Sequence, residues 1–174
     1  RRPRPDDYQI KQAADLIKKS KNPIIISGGG IFYSDAMKEL SQFAKKHNIP
    51  TAQTVMGYST MKKDDPYFLG AIGGFGGKAP NDFMKKTDLA IAIGTKLADF
   101  TTGSWTNFEN PNFKLVSINV SRFDANKHMA QSIVGDAKVS IQDLTVALGS
   151  WKASDEWYKK SRSAVKSWNN YLDK

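Results

Sequence analysis

The order of apolar segments predicts an α/β chain: a three-layer domain with a parallel sheet and helices on both faces. Three observations carry this. The runs Ile24–Ile26 and Leu89–Ile93 are short and wholly apolar, as strands covered on both faces are. Segments with helical periodicity alternate with the strand-like runs, which requires crossover connections and a parallel sheet. Five strand ends run into glycine or small polar residues, where an open parallel sheet places its ligand crevice. They are Ser27-Gly28-Gly29-Gly30, Thr54–Gly57, Gly94-Thr95-Lys96, Asn119-Val120-Ser121 and Gly135-Asp136.

The first helix is expected over residues 8–20, where Ile10, Ala13, Ala14, Leu16 and Ile17 share a face and Asp6 and Asp7 can cap the start. Asn22-Pro23 stops it. After the first strand and its glycines, a helix runs from about Ser34 to Lys46 through Met37, Leu40, Phe43 and Ala44. Pro50–Thr54 reads as a short strand. Residues 55–77 read as a long glycine-rich connection, of the kind that is either functional or disordered. A short helix over Pro80–Lys86 leads to the strand Leu89–Ile93, and a second loop extends to about Pro111. Lys114–Asn119 and Ser132–Val134 are strands, and Lys138–Leu148 is a helix.

Residues 1–150 thus form one central α/β domain, and residues 151–174 differ in character. Trp157, Ser161, Ala164, Val165, Trp168 and Leu172 fall on one helical face. Such a stripe either meets a neighbouring domain or folds back on its own sheet.

Composition excludes several classes of function. Of 174 residues, 40% are hydrophobic, enough for one ordinary core. The absence of cysteine removes disulfides, thiol nucleophiles and thiolate metal sites, and fits a reducing, cytoplasmic setting. No run approaches the roughly 20 apolar residues of a membrane span. The formal charge of +9 comes mostly from lysines spread along the chain, many near helix ends, where they offset the macrodipole. That pattern describes a solvated surface better than a nucleic-acid footprint. The start at Arg1 rather than Met suggests a segment of something longer.

No catalytic constellation stands out. The dinucleotide fingerprint fails, because Gly28 and Gly30 are followed by Tyr33 where a third glycine should be. Gly135-Asp136-Ala137 and Asn169-Asn170 echo a thiamine diphosphate metal motif, but with the wrong closing residue and too wide a separation. His47 and His128 lack partners at metal-ligand spacing and are expected to face solvent. Ser27 and Ser121 have no neighbouring base. No residue is therefore assigned to catalysis or to a metal. The candidate binding set is Gly28, Gly29, Gly30, Met56, Gly57, Gly94, Lys96, Asn119, Gly135 and Asp136, a vestigial nucleotide groove. Tight strand-to-helix turns without a ligand are the plain alternative.

The ordered strings are more specific than any single motif. Pro23–Gly30, Asn48-Ile49-Pro50-Thr51, Thr54-Val55-Met56-Gly57, Leu69-Gly70, Asp88–Thr95 and Val134–Ala137 together resemble the central domain of thiamine-diphosphate-dependent enzymes of the acetolactate synthase group. The resemblance covers about residues 8–148 and implies a Rossmann-like fold with a six-stranded parallel sheet. Asp99–Ser104 and Ser117–Ala125 resemble its inositol-catabolic branch, hydrolases that cleave a C–C bond of a cyclic polyhydroxylated 1,2-diketone.

The resemblance implies a pyrimidine-binding domain with an activating Glu before this segment and a diphosphate-binding domain after it. Thiamine diphosphate and Mg²⁺ would sit between those domains of different subunits, so a homo-oligomer is implied. Residues 151–174 would be the helical linker towards the second of them, and the central domain would be a non-catalytic platform. Some relatives hold FAD there. Lys96 stands where synthases carry Arg and Asn119 where they carry Asp, so FAD is not expected here. An acetolactate-synthase-like carboligase or decarboxylase, and a free-standing FAD or nucleotide-binding module, are the alternatives.

Overall fold

The computed structural model describes residues 2–174. Six parallel strands form the sheet: β1 (Pro23–Ser27), β2 (Thr51–Gln53), β3 (Phe68–Ala71), β4 (Leu89–Ile93), β5 (Lys114–Asn119) and β6 (Gln131–Val134). Their order is β3-β2-β1-β4-β5-β6. The chain winds outward from β1 in one direction and from β4 in the other, so the order reverses between these two strands. Ile25 lies opposite Ile91, and Ser27 opposite Ile93, so both strands end level at that reversal.

Alternation along each strand divides the core. Ile25, Leu89, Ile91, Ile93, Val116, Ile118 and Ile133 point to one face. There they meet α1 (Asp7–Lys19), α3 (Met37–His47) and α7 (Ala137–Leu148). Ile24, Ile26, Ala52, Ala90, Ala92 and Leu115 point to the other, where α4 (Lys78–Met84) and α8 (Asp155–Leu172) cover them. The expected three-layer architecture is the observed one. Side-chain caps begin α1, α7 and α8: Asp6 accepts from the Tyr8 amide, Asp136 from Val139 and Ser154 from Trp157.

Two features differ from the sequence reading. The long connection hides β3, a four-residue strand at the sheet edge whose pairing with β2 shifts register between Thr51 and Ala52. Gly70, at a φ of 121°, breaks its hydrophobic pattern, so no period of two is visible. His47 does not face solvent. It is fully buried at the end of α3, because the chain after α7 folds over it and its Nδ1 lies 2.8 Å from the Trp151 carbonyl.

The C-terminal stripe folds back on its own sheet. Trp157 is 3% exposed, stacks on Phe83 with ring centroids 4.1 Å apart, and donates its indole N–H to the Pro23 carbonyl. Trp168 lies against Gly77, while Tyr171 and Leu172 remain exposed. No helix among the described residues is long and apolar enough to cross a membrane.

Candidate functional site

A cleft of about 1070 Å³ opens at the carboxyl ends of the strands, centred on the reversal between β1 and β4. An open parallel sheet offers its widest crevice there, because the loops leaving β1 and β4 diverge. Eight of the ten residues singled out from sequence line it: Gly29, Gly30, Met56, Gly94, Lys96, Asn119, Gly135 and Asp136. Gly28 and Gly57 do not. A Cβ on Gly28 would meet the Gly94 carbonyl oxygen at 2.4 Å, and one on Gly57 the Ser27 carbonyl oxygen at 2.3 Å. They are glycines because loops touch loops.

The same contact explains Gly30 and Gly94. The Gly30 amide donates to the Gly94 carbonyl at 2.9 Å, and a Cβ on Gly30 would fall 2.6 Å from the Gly94 Cα. Gly94 has a φ of 64°, which favours glycine. Backbone packing between the β1 and β4 loops is sufficient to set these identities. The helix that comes next, α2 (Gly30–Tyr33), is a single turn. Tyr33, where the fingerprint would need glycine, closes it at 90% exposure and lines the cleft.

The polar groups of the cleft are occupied by one another. Asn119 accepts from the Ser121 amide and donates to the Thr95 carbonyl. Ser121 in turn caps the short helix α6 (Arg122–Ala125) by accepting from the Asp124 amide. The Lys127 ammonium, 2.7 Å from Asp124, holds that carboxyl below the usual carboxylate range, with Lys96 adding to the effect. Asp136 caps α7 and also accepts from Ser34 and Arg2. Lys96 is exposed at the rim.

No acid–base pair can be assembled from this set. Neither histidine lines the cleft. Burial depresses the pKa of His47, and that of His128 is lowered by burial and by Lys127. Ser27 is buried beneath the floor with its hydroxyl 2.7 Å from that of Thr60. Among the described residues no three His, Asp or Glu side chains converge as metal ligands do. Asp136 lies at the β6 edge, whereas Asn169 and Asn170 are exposed on α8, which packs on α4 and β3 at the opposite edge. The residues present do not fit thiamine diphosphate with its metal.

The apolar rim is what the sequence reading missed. Phe75 and Phe100 stack at the mouth with centroids 5.2 Å apart, and both are mostly exposed, as are Val55 and Val120. The loop carrying Phe75 is tied to α5 (Asp99–Thr102) through the Gly74 amide, which donates to the Phe100 carbonyl at 2.8 Å. An aromatic residue set among the glycines of residues 70–77 was the available signal.

Comparison with known proteins agrees with this fold. Residues 10–144 match the family described as thiamine pyrophosphate enzyme, central domain. The chain is similar to the 3D-(3,5/4)-trihydroxycyclohexane-1,2-dione hydrolase of Clostridium perfringens (strain 13 / Type A), at 39% identity over 98% of this chain and 27% of that protein. The protein of the same name from Clostridium botulinum (strain Alaska E43 / Type E3) is 44% identical over 82% of this chain and 22% of its own length. One from Bacillus cereus (strain AH820) is 36% identical over 98% of the chain and 26% of its own length. The chain thus spans about a quarter of the length of the curated relatives it matches.

Proposed function

The chain belongs to the family of thiamine pyrophosphate enzyme central domains, and from that membership we propose that it is the non-catalytic middle of a thiamine-diphosphate-dependent hydrolase. The whole protein would cleave a C–C bond of 3D-(3,5/4)-trihydroxycyclohexane-1,2-dione, the compound in its relatives' name, as a step of inositol breakdown in the cytoplasm. One observation carries the reading. Among the described residues, the only acidic groups lining the cleft are Asp124 and Asp136. They are already engaged by Lys127 and by Arg2, Ser34 and a helix start.

Activating a thiazolium needs a carboxyl beside a pyrimidine ring, and holding a diphosphate needs a metal with free oxygen ligands. Both tasks fall to flanking domains, with Mg²⁺ as the metal, in a homo-oligomer. Residues 151–174 then serve as the helical connection towards the diphosphate-binding domain. Their buried stripe anchors that connection to the platform, and the exposed Tyr171 and Leu172 are left to meet the next domain. FAD would be held weakly in the cleft. Lys96 offers a point charge in place of a bidentate fork, and the Asn119 amide is committed to its own loop.

The test compares this chain with the full-length polypeptide, each supplied with thiamine diphosphate, Mg²⁺ and the diketone. The full-length protein should open the ring and the chain alone should leave it intact. Turnover by the chain alone would overturn the assignment, and a full-length protein that joins two keto acids instead would favour the synthase reading.

A further inference from the structure

The segment ahead of α1 packs on Gly135 and Asp136, which line one end of the cleft. The Asp136 amide donates to the Pro3 carbonyl at 2.8 Å, and the Arg2 guanidinium donates to Asp136 Oδ2 at 2.8 Å. Ser34, itself a lining residue, donates to the same oxygen at 2.9 Å. Pro5 is buried against Gly135, where a Cβ would meet the Pro5 nitrogen at 2.9 Å. Further along, the Val134 amide donates to the side chain of Gln9 in the first turn of α1, which ties that helix to the β6 edge.

We propose that Arg2–Pro5 is a strap latched by Asp136 behind the β6 end of the cleft, so that release of the segment uncovers the lining residues Gly135 and Asp136 and loosens the cleft at that end. Three facts point to a latch rather than a fixed wall. Proline supplies no amide, so Pro3 and Pro5 cannot add donors to hold the segment in place. Arg4 contributes only a distant, exposed pair with Asp143 at 3.6 Å. The charged contact that remains, Arg2 with Asp136, joins a half-exposed cation to a carboxylate that is nearly buried. A molecule entering from that side that competes for Asp136 would free the strap, and movement of whatever precedes Arg2 would reach the cleft through the same oxygen. Asp136, which sequence reading places in a nucleotide groove, thereby becomes a positioning residue.

The test is amide exchange and solvent paramagnetic relaxation, read by NMR on the whole chain with a soluble gadolinium chelate. Arg2→Gln and Asp136→Asn are the variants. Asparagine caps helices as well as aspartate does, so α7 still starts correctly. Each variant should speed exchange at the Asp136 amide by about tenfold, the equivalent of one charge-assisted hydrogen bond. Each should also raise chelate relaxation at the Ser34 and Ala137 amides, while Ser140 and Arg4→Gln stay unchanged. Unaltered exchange at Asp136 would show that proline packing alone holds the segment. Faster exchange without added relaxation at Ser34 and Ala137 would show that the segment does not cover that end of the cleft. Either result overturns the proposal.

Discussion

His47 shows how one side chain couples two distant stretches of the chain. Its ring is wedged between Phe43 and Trp151, Nδ1 meets the Trp151 carbonyl, and Nε2 is buried without a partner. Burial, reinforced by the charges of Lys46 and Lys152, lowers its pKa below the ordinary 6.5, and the hydrogen bond to Trp151 opposes this only in part. The unfolded chain therefore takes up the proton first. The stability due to His47 is at full value above pH 6.5 and is lost as the pH falls through that point towards the depressed folded value. The melting temperature of the wild type should drop more than that of His47→Gln between about pH 7 and about pH 5. Equal drops would place the acid sensitivity elsewhere. Nothing in the sequence distinguishes this histidine from an exposed one, because the group that buries it lies 104 residues away. By contrast, eight residues of the cleft were legible one by one, since strand ends and glycines are local signals, whereas its aromatic rim was not.

Among the elements, the buried strands, the helices they alternate with and most of the cleft could be read directly, because their patterns are contiguous. The edge strand β3 could not, since four residues interrupted by Gly70 carry no period. The destination of α8 was likewise open: a stripe says that a helix is buried, not against what. The structure puts Trp157 into the second core, against Phe83 and the start of β1. Trp157→Ala should therefore cost about 3–5 kcal/mol, the range for deleting a large buried aromatic, in urea denaturation of the chain. Tyr171→Ala, on the exposed end of the same helix, should fall within about 0.5 kcal/mol of wild type. Similar losses at both positions would mean that α8 contributes through its helicity rather than through that single anchor.

Over the whole molecule, the two ends of the segment converge on the central sheet by different means. The strap reaches the cleft through Asp136 at the β6 edge, and α8 is anchored through Trp157 at the start of the central strand β1. On the function proposed above, a platform held in this way would transmit position between flanking domains without taking part in the chemistry. Calorimetric titration of the isolated chain with thiamine diphosphate in the presence of Mg²⁺ decides whether it is such a platform. No saturable heat is expected, since neither a pyrimidine-side carboxyl nor a free metal-ligand set exists among the described residues. Micromolar binding that disappears in Asp136→Ala would contradict this and make the cleft a cofactor site.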